Sequence, residues 1–289
     1  MSPGETIAVD EGSWSEPSSK RSLAYRIWRP SALKALVVIV HGFGEHGGRY
    51  ATLAQALARQ GLCVAIPDLW AHGRSGGRRG DIGSVDQVAR DCQALTEQCV
   101  LPATGQRRYA VFGHSFGGLV AILWALQQPA ALDRLVVQSP LLEVGFPIPR
   151  WKTAAAWILA TCWPSFALSM DLDTAALSRD PIVGQAYRAD PLVHNRMSAG
   201  AYCSLLRARD EALRRAAELR VPTLVLCGSA DRIIAVDVAR RWFEQLCCEK
   251  RLVMFPEGYH ELHQDLVKDE VERTIAAWLL ASRADGITP

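Results

Sequence analysis

One pattern recurs along the chain and limits what it can fold into: a short apolar run, closed by glycine or polar residues and usually followed by a stretch with helical spacing. The runs are residues 36–40 (Leu-Val-Val-Ile-Val), 62–66 (Leu-Cys-Val-Ala-Ile), 109–112 (Tyr-Ala-Val-Phe), 135–138 (Leu-Val-Val-Gln), 223–227 (Thr-Leu-Val-Leu-Cys) and 251–255 (Arg-Leu-Val-Met-Phe). A near-continuous apolar run of this length reads as a strand buried on both faces. Helical spacing follows at residues 50–60, 84–100, 117–128, 236–246 and 264–281, with Ser84 and Gln87 placed as a capping box. Strand and helix in alternation predict an α/β protein with a mostly parallel central sheet and helices on both faces. Residues 22–28 alternate well enough for a short antiparallel entry strand, which Pro30 ends.

The alternation lapses between about residues 140 and 220, a stretch rich in Trp, Leu, Ala and Arg without a clear buried strand. We read it as a helical cap inserted between two parts of one core, residues 1–139 and 221–289. Within it, residues 153–170 carry no charge. That length barely reaches a membrane span, and Pro164 and Ser165 interrupt it, so an apolar cap or surface helix is the stronger reading.

Composition narrows the partners. Lys and Arg number 32 against 30 Asp and Glu, a net charge of +2 that is too small to hold a polyanion, so no nucleic-acid partner is expected. The N-terminal stretch lacks a basic start followed by an apolar run, as a secretory signal would need, and a cytoplasmic location is expected. Eight cysteines lie scattered without C-x-x-C spacing, several inside apolar runs, and read as reduced core residues.

The chemistry starts at a G-x-S-x-G pattern, the mark of a serine nucleophile on a sharp strand-to-helix turn. It occurs twice. Gly73-Arg74-Ser75-Gly76-Gly77 has neither strand before it nor helix after it, whereas Gly113-His114-Ser115-Phe116-Gly117 joins the 109–112 run to a helix. Context selects Ser115. A neutral hydroxyl needs a base, and the base needs an orienting carboxylate; in such a sheet both belong on loops after strand ends, in the order Ser, acid, His. Asp231 follows the 223–227 run and His260 follows the 251–255 run. Asp237 is the competing acid and His263 the competing base. His260 and His263 as a metal pair lack the i,i+4 spacing and a third ligand, so no metal and no cofactor is expected. Oxyanion donors are expected from the backbone N–H of Phe116, just after the nucleophile, and of Phe43 in His41-Gly42-Phe43-Gly44, the loop after the first buried run.

With these stretches in place the chain resembles α/β-hydrolases of the monoacylglycerol lipase group, which also includes lysophospholipase-like and serine-aminopeptidase-like hydrolases. The resemblance rests on His41-Gly42-Phe43-Gly44-Glu45-His46 with Arg49-Tyr50, residues 68–75, residues 113–118, Ser139-Pro140, Asp190-Pro191-Leu192, residues 228–231 and residues 257–263. It implies the α/β-hydrolase fold, a triad of Ser115, Asp231 and His260, and contacts from Glu45, Arg49 and His263 to a glycerol headgroup. A local Glu45–Arg49 salt bridge is the plainer reading of that pair. Two positions depart from the group's pattern. Ala71 stands where glycine is usual, which is expected to reshape a turn, and Phe116 replaces methionine, with a ring expected to narrow the pocket beside Ser115.

The implied activity is hydrolysis of a small lipid ester, monoacylglycerol first, through an acyl-enzyme. A lysophospholipase or general carboxylesterase is the alternative, an aminopeptidase a more distant one, and a catalytically dead ligand-binding protein on the same fold the non-enzymatic reading. The cap, around Trp157 and Ile158, is expected to act as a mobile lid that guides lipid chains and touches membranes peripherally. The clusters Arg74, Arg78, Arg79 and Arg207, Arg209, Arg214, Arg215 read first as solvated faces and second as attractors of anionic headgroups.

Overall fold

The computed structural model describes residues 7–16, 19–170 and 172–281; residues 1–6, within the polar N-terminal stretch, lie outside it. An eight-stranded sheet forms the middle layer. Its strands are β1 (Ala8–Ser15), β2 (Ser22–Arg29), β3 (Ala35–Val40), β4 (Leu62–Pro67), β5 (Tyr109–His114), β6 (Leu132–Gln138), β9 (Thr223–Gly228) and β10 (Lys250–Phe255), in the order β1-β2-β4-β3-β5-β6-β9-β10. The two entry strands pair antiparallel and every pairing from β4 to β10 is parallel.

Side chains alternate across a strand, and the core divides accordingly. Val37 and Ile39 of β3 join the cluster under α1 (Ala51–Arg59) and α9 (Lys268–Leu280). Val38 and Val40 join the other cluster, under α2 (Val85–Leu95), α4 (Phe116–Leu126) and α8 (Val236–Gln245). Both neighbours of each residue are therefore apolar, which is why the runs show no polar alternation. Ser84 caps α2 by accepting from the Gln87 N–H at 3.1 Å. The Gln87 side chain reaches forward to Asp91 at 2.8 Å instead of back to the cap. The helix continues through a π-helical turn, Thr96–Val100, into α3 (Leu101–Thr104).

The inserted region holds α5 (Arg150–Cys162), a two-stranded antiparallel pair of β7 (Ala167–Ser169) and β8 (Arg196–Ser198), α6 (Pro181–Ala189) and α7 (Ala199–Arg214). These pieces differ in how firmly they sit. Ala201, Leu205, Ala208 and Ala212 of α7 are buried in the main core, and Ser204 accepts from the Val85 N–H at the start of α2. By contrast α5 buries none of its residues. The uncharged 153–170 segment thus becomes a helix, a turn and a short strand, and among the described residues no helix is long and apolar enough to cross a membrane. Most of the arginines read as solvated faces sit in pairs: Arg74 with Glu11, Arg209 with Glu143, Arg215 with Glu211 and Glu218, and Arg207 stacked over Trp157.

Cys63, Cys92, Cys203 and Cys227 are buried, while Cys162 and Cys247 are exposed. Burial pushes the Cys63 thiol up to about 11 and Cys227 to about 12, so these behave as core residues.

Candidate active site

All the candidate groups stand at the carboxyl ends of parallel strands. Ser115 follows β5 at φ 54° and ψ −118°, a conformation that costs a residue with a Cβ about 1–3 kcal/mol. The surroundings hold it there: its N–H donates to the Gln138 carbonyl at 3.0 Å, and its own carbonyl accepts from Gly118 at 2.9 Å and Leu141 at 3.0 Å. The flanking glycines let α4 descend onto the sheet, since a Cβ at Gly117 would stand 2.1 Å from the Val40 carbonyl oxygen. Ser75, the other serine in a G-x-S-x-G pattern, is a buried pin. Its hydroxyl accepts from Ala24 N–H at 2.9 Å and donates to the Asp68 carbonyl at 2.5 Å.

The Asp231 side chain is fully buried after β9 and spends each carboxylate oxygen differently. Oδ1 accepts from the N–H groups of Ile233 at 2.8 Å and Ile234 at 3.2 Å, while Oδ2 faces His260 Nδ1 at 2.8 Å. Burial pushes the carboxyl up, but His260 and the two N–H groups override it and hold Asp231 below its ordinary range. Burial disfavours charge on His260, yet Asp231, with Glu261 and Glu45 behind it, raises the imidazole above its ordinary value. Ser115, Asp231 and His260 border one cavity of about 1990 Å³. Asp237 sits in the first turn of α8, paired with Arg240.

The loop after β3 carries Phe43, whose N–H makes no hydrogen bond among the described residues. The carbonyl of the same peptide, on Gly42, pairs with His41 Nδ1 at 2.7 Å, and His41 Nε2 accepts from Leu69 N–H at 2.9 Å, which places the proton on Nδ1. Phe116 is the first residue of α4, so its N–H has no intrahelical partner. Its ring differs from expectation: it is buried in the core, edge-on to Phe43 with centroids 5.4 Å apart, and stays out of the cavity wall. Ala71 also keeps the turn it was expected to reshape, by adopting φ 64° with its N–H on the Gly76 carbonyl.

The three headgroup candidates separate. Glu45 borders the cavity, whereas Arg49 and His263 stand outside its wall. Glu45 Oε1 accepts from Gly42 N–H at 2.6 Å and the Tyr50 hydroxyl at 2.7 Å, and Oε2 from Arg49 Nε at 2.8 Å. Arg49 also grips both oxygens of Glu261, at 2.8 and 2.6 Å. Despite burial, Glu261 and Glu45 raise the guanidinium, which stays charged. Glu45 is held well below its ordinary range by His114 and Arg49 against burial, while burial leaves Glu261 raised. His263 stacks on Tyr50 at 4.5 Å and takes a hydrogen bond from Gln138, and burial first, then His114, keeps it neutral.

Sequence reasoning missed Glu261, Tyr50 and Gln138 as members of this network. Glu261 lies inside His260-Glu261-Leu262-His263, where spacing tests only for metal binding. Nothing local signals that it meets Arg49, 212 positions away.

The cap walls one side of the cavity, which stays partly open to solvent. Ala155, Ala156 and Leu159 of α5 line it with Phe166, Leu168 and Met170. Trp151, also on the cavity border, is 68% exposed, and Ile158, off that border, is 66% exposed. Trp157, at 36%, lies under the Arg207 guanidinium. Beyond α5 the cap is tied to both catalytic loops. Leu177 accepts from the Glu261 N–H, Arg179 pairs with Asp265 at 2.7 Å, Asp190 bonds His46 at 2.8 Å, and His194 N–H donates to the Gly44 carbonyl at 2.7 Å.

A strained serine at a strand-to-helix turn, an imidazole held by a buried carboxylate and a cap over a parallel sheet define an α/β-hydrolase. The family described as serine aminopeptidase, S33, matches residues 31–267, and the chain belongs to it. Within that class it is a monoglyceride lipase-like hydrolase. A monoacylglycerol lipase of Mycolicibacterium smegmatis is 30% identical over 90% of this chain and 93% of its own. The crystal structure of the Paleococcus ferrophilus monoacylglycerol lipase shares 33% identity and superposes with a TM-score of 0.82, covering 91% of this chain and 99% of that one. An uncharacterized abhydrolase domain-containing protein of Dictyostelium discoideum is 30% identical over 91% of this chain, which spans only 28% of that longer protein.

Proposed function

We propose that this chain hydrolyses monoacylglycerols to fatty acid and glycerol through a Ser115 acyl-enzyme. One observation carries the reading: the Ser115 elbow and the His260–Asp231 pair open onto a cavity of about 1990 Å³ whose cap wall is mostly apolar. That is well above the ~300–1,000 Å³ of ordinary small-ligand sites and suits a long acyl chain. Ser115 attacks the ester carbonyl while His260 Nε2 takes its proton. The N–H groups of Phe43 and Phe116 receive the oxyanion, His260 returns the proton to the departing glycerol, and water repeats the sequence to release the acid. Asp231 holds the imidazole proton on Nδ1 throughout.

For the glycerol end we propose Glu45 as the direct contact. Arg49 and His263 act behind it, Arg49 by fixing its carboxylate and His263 by packing Tyr50, which bonds the same carboxylate. The ester reading is favoured over aminopeptidase action because, among the described residues, each carboxylate lining the cavity already has a partner: Glu45 and Glu261 with Arg49, Glu143 with Arg209, Asp190 with His46, Asp231 with His260. A free amine would find none of these unpaired. For the cap we propose that α5 alone is the moving lid, with Trp151 and Ile158 meeting the lipid surface and Trp157 held back by Arg207.

A panel of monoacylglycerols, lysophospholipids, short nitrophenyl esters and aminoacyl amides tests the proposal. Highest kcat/KM on a monoacylglycerol, lost in Ser115→Ala, is the expected result. A preference for a lysophospholipid or an aminoacyl amide overturns it.

A further inference from the structure

Asp190-Pro191-Leu192 is a stretch of the resemblance to which the chemistry above gives no part. In the structure it ends α6 and begins a cap turn that lies directly on the loop carrying Phe43. Asp190 builds the turn itself: Oδ1 accepts from Leu192 N–H at 2.9 Å and its carbonyl accepts from Val193 N–H at 3.2 Å. Its other oxygen faces His46 Nε2 at 2.8 Å. His46 Nδ1 accepts from the Gly48 N–H at 3.1 Å, so its proton sits on Nε2 and is donated to Asp190. Four residues on, His194 N–H donates to the Gly44 carbonyl at 2.7 Å. Contact there is backbone against backbone: Gly44 has φ +81°, and a Cβ on it would stand 2.4 Å from the His194 carbonyl oxygen. The His194 ring completes the grip, with its centroid 5.8 Å from Phe43 and 4.8 Å from His72, which itself sits 5.0 Å edge-on to Phe43.

We propose that the cap turn at residues 190–194 is a brace for the oxyanion loop, and that Asp190 and His194 are positioning residues that set where the Phe43 N–H points. His41 fixes the Gly42–Phe43 peptide from the core side; the brace fixes two residues just beyond it, Gly44 and His46, from the cap side. Seating the cap and readying the oxyanion site are then one event. This rests on the reading of Phe43 as an oxyanion donor.

Asp190→Asn is the informative change, because the structure dictates how it fails. The new amide oxygen keeps the Leu192 bond, so its NH₂ confronts His46 Nε2–H, donor against donor. Switching the His46 tautomer to relieve this sacrifices the bond from Gly48. Removing an oxyanion donor outright costs ~10²–10³ in kcat, and misplacing a reacting group by 1 Å costs about 10², so a displaced donor is expected to lose about 10- to 100-fold. On a short soluble ester, kcat of Asp190→Asn should fall by that factor with KM and Tm near wild type. Inhibition by a trifluoromethyl ketone, whose tetrahedral adduct needs the same donors, should weaken in parallel. Asp190→Glu, which keeps the carboxylate, should recover part of the loss. His194→Ala, which removes the ring and keeps the N–H, gives a second variant if the first is unstable, with the same kcat and ketone signature.

Unchanged kcat in both variants, or losses that follow a falling Tm while ketone affinity holds, overturns the brace. Phe43→Pro, which deletes the N–H itself, separates the two ideas. A folded Phe43→Pro protein with collapsed kcat beside an indifferent Asp190→Asn leaves the donor standing and the brace refuted; undiminished turnover in Phe43→Pro refutes the donor reading.

Discussion

Asp231→Asn tests the triad through a hydrogen-bond constraint the structure makes unusually tight. Two backbone N–H groups, of Ile233 and Ile234, converge on Oδ1 at 2.8 and 3.2 Å. Both are donors, so an asparagine at this site must place its oxygen there. Its NH₂ then replaces Oδ2 opposite His260 Nδ1, at the 2.8 Å contact. Nδ1 must now accept, which moves the imidazole proton to Nε2, the nitrogen that should receive the Ser115 proton. The amide keeps the shape and nearly all the hydrogen bonds of the carboxylate, so the fold should survive. Chemistry should not: a base locked in the wrong tautomer loses about 10⁴ in kcat, which at 1.36 kcal/mol per decade is about 5.5 kcal/mol of transition-state stabilisation. The assay is steady-state hydrolysis of a soluble nitrophenyl ester, alongside the rate of fluorophosphonate labelling and a thermal melt. Activity within tenfold of wild type, with the melt unchanged, would refute the tautomer argument and point to Asp237 or another carboxylate.

Three further outcomes are expected. Glu261→Gln removes one of the negative charges that raise His260, while Arg49 keeps Glu45 as a partner. Because the base works in its neutral form, the acid limb of the kcat/KM profile should move to lower pH; an unmoved limb would show that Glu261 is not sensed by the base. Ser75→Ala should leave fluorophosphonate labelling intact but strand the Ala24 N–H and Asp68 carbonyl, destabilising the fold by about 2 kcal/mol or more in a denaturant titration; an adduct on Ser75 by mass spectrometry would reverse the assignment. Ile158→Glu, at a 66% exposed position, should leave the melt unchanged, weaken binding to phospholipid vesicles and slow long-chain monoacylglycerol turnover, with short soluble esters unaffected; equal losses on all substrates would make α5 part of the core.

Much of this was legible in order along the chain because buried parallel strands leave an unmistakable trace. Apolar side chains on both faces of β3, β4, β5 and β9 gave runs with no polar alternation. Ser115 was legible because its turn needs glycines on either side. The strand β1 was not, since Asp10, Glu11 and Gly12 break its pattern; an edge strand needs only one partner, and here Trp14 alone is buried. The same limit hid the Arg49–Glu261 pairing, a contact fixed by topology across most of the chain. It also hid the division of the cap, because the alanines that bury α7 and those that line the cavity from α5 look alike in sequence. The Phe116 ring was assigned to the pocket from its place beside the nucleophile, but the helix that starts there turns it inward.

The distribution of thiols has a practical consequence. Cys162 ends α5 in solvent, while the thiols in the core are both shielded and held in their unreactive form. With Cys247→Ser made to remove the other exposed thiol, a maleimide dye would report from the far end of the one cap helix that buries no residue of its own. Fluorescence recorded as vesicles are added would then time the movement of α5 against turnover, in a chain that already carries the attachment point.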